Sequence, residues 1–369
     1  MKVVDILYVS YYDFGKNEFK IGGVQTYITM LCEIITGLGW EVRVFQQDTI
    51  EKTKKIQPNV EVISVDLKKF KKQKKKNNAL FEFVKKNRCA DKEYLTMFAT
   101  NNIIPSYPVK KGIAIQHGIY WDIPSKRNYS LLRELVTRMK TTITIIKGIH
   151  NIEKLVCVDY NFINWYRTQI LKPKVEMVAI PNFSEICEDT QKPDNCINII
   201  FARRFFYYRG TRIFVEVTEK LLENYKNINI TVAGEGADEG YIREHLEKFP
   251  NVLITKYESQ ESLKIHSEQH IAVIPTIGSE GTSLSLLEAM SAQCAVVCTN
   301  VGGMTNIILD GYNGLMVSPN AEDVYAAIAS LLEDEALRKK ISANARDTVL
   351  SAFSYEKWKL DWEKVLRGL

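Results

Sequence analysis

The sequence predicts an α/β protein made of two Rossmann-like, doubly wound domains. A length of 369 residues suggests two domains more readily than one. Short apolar runs alternate with longer helix-forming segments along the whole chain, which is the pattern of parallel α/β architecture. A polar stretch at 182–194 separates two such series and indicates an interdomain linker. We therefore expect a first domain over residues 1–182 and a second over residues 183–353.

Both domains are predicted to be parallel sheets covered by helices. The strands predicted in the first domain are Val3–Ser10, Glu41–Phe45, Val60–Val65, Tyr94–Ala99, Gly112–Gln116, Lys154–Val158 and Glu176–Ile180, with helices that include Val24–Gly37 and Leu131–Ile146. Those predicted in the second are Ile197–Ala202, Ile228–Ala233, Val252–Thr255, Ile271–Pro275, Ala295–Cys298 and Gly314–Val317, with helices that include Gly210–Asn224 and Glu239–Glu247. Doubly wound domains bind ligands at the carboxyl ends of their strands, so a site is expected in the cleft between the domains.

The composition argues against membrane-spanning and secreted proteins. No apolar run approaches the roughly 20 residues that cross a bilayer. The N-terminal apolar run contains Asp5 and lacks a small-residue cleavage site, so it is predicted to be a strand and not a signal peptide. The seven cysteines form no C-x-x-C pair and are interpreted as buried thiols. This pattern favours a reducing cytoplasm.

Basic residues are concentrated in the first half of the chain. Residues 1–182 carry a net charge of +13 and residues 183–369 a net charge of −8. Seven of the lysines lie between Lys68 and Lys76. Such a run is either a solvated loop or a site for an anionic membrane surface, where each basic residue contributes about 1 kcal/mol. No RNA- or DNA-binding motif accompanies the run, so no nucleic-acid partner is expected.

The segment Pro275–Met290 carries the strongest functional pattern. It joins an apolar run to a helix-forming run through a loop rich in Gly, Ser and Thr. Free N–H groups at the start of such a helix can hold a diphosphate. Glu280 lies before a helix that starts near Thr282, and Glu288 lies roughly 9 Å along its axis. Two carboxylates around a phosphate site suit a nucleotide sugar, although two surface glutamates would give the same spacing.

Residues 280–290, Glu-Gly-Thr-Ser-Leu-Ser-Leu-Leu-Glu-Ala-Met, resemble the E-x7-E motif of retaining family 4 glycosyltransferases, the glycosyl transferases group 1. The resemblance implies the GT-B fold, in which two Rossmann-like domains face each other across a cleft. It implies that Glu280 holds hydroxyls of the transferred sugar and that Glu288 holds the ribose. The donor-binding loop would comprise Gly281, Thr282, Ser283 and Leu284.

A second motif opens the second domain. Residues 203–210, Arg-Arg-Phe-Phe-Tyr-Tyr-Arg-Gly, are similar to a family sequence in which Gly-Arg-Leu is followed, after a short spacer, by Lys-Gly. The match is ungapped when Arg204 takes the arginine position and Arg209 the lysine position. Two cations there would neutralise a leaving diphosphate. Arg203 stands where the family has glycine, and surface arginines after a strand are the alternative.

Two sites in the first domain are also implied by the resemblance. His117 lies at the carboxyl end of a predicted strand and is expected to contact the transferred sugar, although a lone histidine is more often structural. Gly22 and Gly23 precede a helix and would form a donor-phosphate and acceptor loop. No G-x-G-x-x-G pattern occurs there, which argues against a nicotinamide dehydrogenase.

Three weaker features complete the comparison with the family. Gly234 and Gly236 correspond to a turn that lies against the nucleotide base, although a G-x-G sequence is usually only a tight turn. Asn306 replaces the glutamate of a Gly-Gly-x-x-Glu turn, so a hydrogen bond from it to ribose or base would be neutral. The C-terminal segment 354–369 has apolar residues at helical spacing, and the resemblance suggests that it packs back onto the first domain.

Together these features predict a retaining, hexosyltransferase-like glycosyltransferase of class EC 2.4. It would move a sugar from a UDP- or GDP-sugar to a hydroxyl of a glycan or lipid-linked acceptor, in the assembly of bacterial surface polysaccharide such as capsule or O-antigen. Arg204, Arg209 and helix amides would stabilise the departing diphosphate while the acceptor attacks the same face. No cofactor is expected to be required, and no metal, because no Asp-x-Asp motif stands in a suitable loop. We expect a cytoplasmic protein, peripheral on the inner face of the membrane.

Two alternatives remain open at the level of sequence. A nucleotide-sugar epimerase can share the GT-B fold, but it needs an additional acid/base set in the cleft and no acceptor. A non-catalytic membrane-surface binding protein would use the lysine run without transferring sugar.

Overall fold

The computed structural model describes residues 2–20, 22–122, 130–190, 192–278 and 280–368. In the first half of the chain these residues form β1 (Lys2–Tyr8), β2 (Tyr12–Asp13), β3 (Glu18–Phe19), α1 (Gly23–Gly37), β4 (Glu41–Asp48), β5 (Lys52–Gln57), β6 (Val60–Asp66), α2 (Gln73–Lys86), β7 (Glu93–Phe98), β8 (Gly112–Gln116), α3 (Leu131–Ile149), β9 (Lys154–Cys157), α4 (Tyr160–Gln169) and β10 (Glu176–Ala179). In the second half they form β11 (Ile197–Ala202), α5 (Thr211–Asn224), β12 (Ile228–Ala233), α6 (Glu239–Leu246), β13 (Val252–Thr255), α7 (Ser262–Ser267), β14 (Ile271–Ile274), α8 (Leu284–Ser291), β15 (Ala295–Thr299), β16 (Leu315–Val317), α9 (Ala321–Glu333), α10 (Glu335–Ala352) and α11 (Tyr355–Arg367).

Two parallel sheets organise the chain. Within the described ranges, the first sheet has eight strands in the order β10-β9-β8-β7-β1-β4-β6-β5, and only β5 runs antiparallel to its neighbour. The second has six parallel strands in the order β13-β12-β11-β14-β15-β16. The strand order reverses at β1 in the first sheet and at β11 in the second. Ligand sites of doubly wound sheets lie at the carboxyl ends of the strands at such reversals. The predicted α/β class is confirmed.

Apolar runs predicted the bounds of four strands without error. Gly112–Gln116, Ile197–Ala202, Ile228–Ala233 and Val252–Thr255 have the bounds predicted from sequence. The sequence analysis missed β5, which lies at the sheet edge and consists largely of exposed polar residues. It also missed the β2–β3 hairpin, because strands of two residues give no periodic signal.

Helices cover both faces of the first sheet. One face packs against α1 and α11, and the opposite face packs against α2, α3 and α4. The contact of α11 is specific, since Trp362 Nε1 donates a hydrogen bond to the Tyr27 hydroxyl of α1 at 2.9 Å. Trp358 packs edge-on against the same tyrosine, with ring centroids 5.1 Å apart. Leu369, the last residue of the predicted C-terminal segment, lies outside the described residues.

The stretch predicted as a polar linker is anchored along the second sheet. Cys187 is buried, its N–H donates to Ser291 Oγ at 3.0 Å, and its carbonyl oxygen accepts from Arg346 Nη1 at 2.5 Å. Gln191 lies outside the described residues. Cys187 therefore anchors the stretch to α8 and α10, while its acidic residues Glu185, Glu188, Asp189 and Asp194 are exposed.

The position of the lysine run bears on the prediction that the protein binds a membrane surface. The lysine run is exposed, but only its first part is a loop, because α2 begins at Gln73. Three of its lysines therefore occupy the first turn of a helix. Among the helices that the structure describes, none combines the length and the apolar character that a bilayer crossing demands.

Candidate active site

The loop between β14 and α8 crosses the carboxyl edge of the second sheet. β14 ends at Ile274, and α8 begins at Leu284 after the N-cap residue Ser283. The Ser283 side chain is buried and makes no capping bond to the helix in the described contacts. The first N–H groups of α8 therefore lack the partner that a capping side chain supplies, which suits the binding of an anion.

A buried cluster surrounds Glu280 in this loop. Its Oε2 accepts hydrogen bonds from Arg203 Nη2 at 2.5 Å, from Arg209 Nη1, and from Thr276 Oγ1 at 3.0 Å. Arg203 also donates through Nη1 to Thr276 Oγ1 at 2.5 Å. Glu280 and Arg203 are each only 7% exposed, so this cluster is shielded from water.

Two opposing effects act on the Glu280 carboxyl group. Burial raises its pKa, but the combined attraction of Arg203 and Arg209 outweighs burial and leaves the pKa of Glu280 below its usual value. Glu280 is therefore ionised at neutral pH and fixed by charged partners. The sequence pattern predicted that Glu280 faces a sugar. In the structure, the described bonds to its carboxylate come from protein side chains.

Arg203, and not Arg204, lies against Glu280. The ungapped match to the family motif predicted that Arg204 and Arg209 stabilise the leaving group. It gave Arg203, which stands where the family has glycine, no role. In the structure Arg209 does join the cluster, whereas Arg204 is exposed. Arg204 nevertheless acts across the cleft, because its charge opposes the burial that raises the pKa of Tyr8 at the end of β1.

Two glycines let other backbone segments approach the Arg203 loop closely. At Gly234, with φ of +144°, a Cβ atom would lie 2.0 Å from the Arg203 carbonyl oxygen. At Gly236, with φ of +153°, it would lie 2.4 Å from the Phe205 carbonyl oxygen. Any side chain at either position would displace the loop that carries Arg203. The structure thus gives these glycines a packing role that the predicted contact with a nucleotide base did not include.

Glu288 lies on α8 with a different set of partners. Ser262 Oγ donates to Glu288 Oε2 at 2.6 Å. Burial raises the pKa of Glu288, and the Ser262 bond and the charge of Arg203 only partly oppose this. The two glutamates of the E-x7-E motif therefore differ, since the pKa of Glu280 is lowered and that of Glu288 is raised.

The two sheets meet at the loop of the E-x7-E motif. The Thr282 hydroxyl donates to the Val158 carbonyl oxygen at the end of β9. Asn306 Oδ1 accepts from the backbone N–H of Tyr160, the first residue of α4, at 3.0 Å. Both side chains had been considered as ligand contacts, and both instead bond to the first half of the chain. Their described bonds hold the halves together beside the cleft.

The glycine pair and the loop after β8 also reach this junction. A Cβ atom on Gly23 would lie 3.7 Å from Leu284 Cδ1, so the start of α1 faces the start of α8. Gly22 precedes it as the N-cap residue of α1, without a side chain to occupy the space. A Cβ atom on Gly281 would lie 3.0 Å from the His117 carbonyl oxygen. The predicted site residues from both halves of the chain therefore converge at one place.

His117 is a neutral imidazole at this junction. Its Nε2 lies 2.9 Å from the Ala99 carbonyl oxygen and must carry the proton, since a carbonyl only accepts. Burial lowers the pKa of His117 to about 4, and the bond to Ala99 opposes this only in part. Nδ1 is consequently a hydrogen-bond acceptor at neutral pH. The ring also packs edge-on against Tyr27, with centroids 5.3 Å apart.

Sequence reasoning missed Arg203 and Thr276 as members of the cluster. Adjacent residues after a strand point to opposite sides, so one of the two neighbouring arginines had to turn inward. The sequence does not say which one. No group of three or more His, Cys, Asp or Glu side chains that could hold a metal ion occurs among the described residues.

Comparison with known proteins adds three findings. Residues 182–348 match the family Glycosyl transferases group 1. A Methanocaldococcus jannaschii protein described as an uncharacterized glycosyltransferase is 23% identical over 274 residues, which cover 70% of this chain and 69% of that protein. Two further glycosyltransferases of the same archaeon match over only 52% and 58% of their own lengths.

Solved structures share the whole fold at low sequence identity. Sucrose-phosphate synthase from Thermosynechococcus elongatus superposes with a TM-score of 0.78 at 16% identity, covering 100% of this chain and 99% of that one. A trehalose-6-phosphate structure from E. coli, bound with UDP-2-fluoro glucose, superposes with a TM-score of 0.72 at 14% identity over 100% and 99%. These neighbours have the GT-B fold, which confirms the predicted fold class.

This chain is a glycosyltransferase with the GT-B fold. The match to the family Glycosyl transferases group 1 is confined to residues 182–348.

Proposed function

We propose that this enzyme is a retaining glycosyltransferase of family 4 that transfers a sugar from a nucleotide diphosphate donor to a hydroxyl acceptor. The observation that carries the proposal is the buried cluster of Glu280, Arg203 and Arg209 beside the uncapped start of α8. Cations and helix N–H groups stabilise a leaving diphosphate, and a fixed carboxylate orients sugar hydroxyls. The UDP-sugar bound to a structural neighbour supports a UDP- or GDP-sugar donor.

Each group has a proposed role in the reaction. The α8 amides, Arg209 and Arg204 bind the diphosphate and stabilise the negative charge that develops as the sugar–phosphate bond breaks. Glu280 accepts hydrogen bonds from sugar hydroxyls through Oε1, because its described bonds all fall on Oε2. His117 accepts a hydrogen bond from a sugar hydroxyl at Nδ1. No side chain of the cluster is required as a nucleophile: the acceptor hydroxyl attacks the face from which the diphosphate departs and gives its proton to the departing phosphate.

The acceptor is proposed to be a glycan or a lipid-linked saccharide of bacterial surface polysaccharide. The resemblance to a family that builds capsules, O-antigens and glycolipids supports this assignment. The exposed lysine run from Lys68 to Lys76 supports a cytoplasmic protein that visits anionic membrane, where such acceptors reside. No cofactor beyond the donor substrate is proposed.

A donor screen tests the proposal. Purified protein is heated with a panel of UDP- and GDP-sugars, and the matching donor at 100 times its Kd should stabilise the fold by about 2.7 kcal/mol. The product formed with an acceptor is then examined by proton NMR, and an α-linked donor should give an α-linked product. An inverted linkage would reject the retaining mechanism. Turnover of donor without acceptor to an epimerised sugar would replace transfer by epimerisation.

Matched variants distinguish the role of the cluster in transfer from a general effect of removing a negative charge. Glu280→Gln should lose transfer, whereas Glu216→Gln, on an exposed face of α5 where it pairs with Lys220, should retain it. If both variants were as active as the wild type, the cluster would not be part of the active site.

A further inference from the structure

Helix α3 presents an apolar face that is largely exposed in the described part of the chain. Its exposed apolar side chains are Leu131, Leu132, Leu135, Val136, Met139 and Ile143, which range from 40% to 86% exposed. The buried residues of this helix are Ile145 and Ile149, both in its last turns. The first ten residues of the helix therefore project beyond the core of the first sheet.

These side chains form one stripe. At about 100° per residue they cover roughly 140° of the helix circumference, which is the width of a fully apolar face. Isolated helices are marginal in water, and most helical stability in proteins comes from packing of the apolar face. Contiguous exposed apolar patches on soluble proteins mark interaction sites. Five exposed apolar side chains in the first ten residues of this helix, none of which is buried in the described fold, therefore mark an interaction site.

Basic residues border this stripe. Arg138 lies on one edge, and Lys140 and Lys147 lie on the other. The helix carries a single acid, Glu134, which pairs with Arg138 at 2.8 Å. Long basic side chains beside an apolar face extend their charges toward lipid headgroups while the apolar residues enter the acyl region.

The lysine run lies on the same face of the molecule. Helices α2 and α3 both contact the 3-10 turn Asn101–Ile103, and both contribute to the cluster of buried residues on that face of the first sheet. Asn77, at the end of the run, donates through Nδ2 to the Asn102 carbonyl oxygen at 2.9 Å. The helices that carry the exposed lysines and the apolar stripe therefore lie on the same face of the first sheet.

We propose that α3 inserts its apolar stripe into an anionic membrane and is the element that anchors the enzyme to lipid. A second copy of this chain fits less well, because two-fold pairing of the stripes would bring basic edges together. An anionic bilayer complements both features, since it accepts apolar side chains and attracts the flanking cations. The proposal does not depend on the glycosyl-transfer reaction, and it assigns to α3 a contact that the lysine run alone cannot make.

Insertion and surface attraction differ in their dependence on salt. Charge attraction weakens as the screening length falls from about 10 Å at 0.1 M salt to about 3 Å at 1 M. Burial of apolar side chains in lipid persists at high salt. We therefore compare flotation of the full chain with vesicles of phosphatidylglycerol and phosphatidylcholine at both salt concentrations. This comparison distinguishes the contribution of α3 to vesicle binding from that of the lysines.

The test uses the pair of substitutions Leu135→Glu and Met139→Glu in one chain. Both side chains are exposed, so the circular dichroism and melting temperature should match the wild type, while vesicle binding at 1 M salt should fall at least ten-fold. Leu253→Glu, at an exposed site on β13, is the control and should float normally. Met139→Leu should retain binding, because it keeps the apolar surface.

Each remaining outcome decides against the proposal. Flotation of the double variant at wild-type level in 1 M salt would remove α3 from the membrane contact. If the wild type did not bind anionic vesicles at all, the proposed insertion of α3 would likewise be rejected. A double variant that changes from dimer to monomer on a sizing column, with unaltered flotation, would identify the stripe as a contact between copies of this chain.

Discussion

Arg203 and Glu280 form a buried ion pair at the carboxyl edge of the second sheet, with Arg203 Nη2 2.5 Å from Glu280 Oε2. Arg204, the next residue in the chain, is exposed, and its charge acts on Tyr8 of the first sheet. Two consecutive arginines thus occupy opposite environments. Their substitutions should consequently separate the stability of the site from its catalysis.

Arg203→Ala should destabilise the protein by about 3 kcal/mol or more, because it leaves the buried Glu280 charge with one cation fewer. Arg204→Ala should leave the unfolding midpoint unchanged and lower turnover by about 10²-fold, by analogy with loss of a charge-stabilising donor. Urea denaturation and a coupled assay of nucleoside diphosphate release measure the two effects. Normal turnover in Arg204→Ala would place the exposed arginine outside the reaction.

Glu280→Gln should impair binding of nucleotide sugar more than binding of the free nucleoside diphosphate. The amide still accepts a hydrogen bond, but it no longer neutralises Arg203 and Arg209 and offers one oxygen in place of two. Titration calorimetry with the nucleotide alone and with the nucleotide sugar gives the two affinities. Equal losses for both ligands would place Glu280 on the nucleotide and not on the sugar.

His117 should make stability depend on pH below neutrality. The pKa of His117 is about 4, whereas a histidine in the unfolded chain titrates near 6.5. As pH falls from about 6.5 toward 4, the unfolded chain binds a proton that the native protein does not, so stability is lost over that window. In His117→Gln the free energy of unfolding should change less between pH 7 and pH 5.

The measurement compares slopes, so a change in absolute stability caused by the substitution does not matter. His266→Gln provides a parallel case, because burial lowers the pKa of His266 to about 4 as well. An unchanged pH dependence in His117→Gln would show that the pKa of His117 in the native state is close to that in the unfolded chain.

Replacement of the seven lysines between Lys68 and Lys76 by Gln should weaken flotation with anionic vesicles several-fold at 0.1 M salt. Activity on a soluble acceptor analogue should stay at the wild-type level, since these side chains are exposed and lie outside the Glu280 cluster. A variant that floats normally at 0.1 M salt would mean that the run is only a solvated surface. The wild type in vesicles of neutral lipid is the control.

Much of the fold followed from local pattern. Runs such as Ile271–Ile274 are strands because a continuous apolar segment bounded by polar residues can be buried on both faces of a sheet. Edge strand β5 could not be predicted in this way, because its exposed lysines carry no such signal and its pairing with β6 comes from a distant part of the structure.

The site was predicted in outline but not in its contacts. The spacing from Glu280 to Glu288 indicated a loop before a helix start, and the structure has that arrangement. The contacts of Thr282 and Asn306 with Val158 and Tyr160 join residues more than a hundred positions apart. No local pattern encodes such pairs, because they depend on how the two sheets are placed against each other.

The sequence by itself determined the two α/β sheets, the helix start after Glu280 and the basic character of one surface, since each follows from local periodicity or composition. Only the tertiary structure decided which of Arg203 and Arg204 meets Glu280. Strand alternation requires the two side chains to diverge, but the inward direction is chosen by the packing of β11 against β12 and β14 and by the close approach that Gly234 permits. A buried charge is tolerated only where its partner is already fixed, so this choice belongs to the assembled fold.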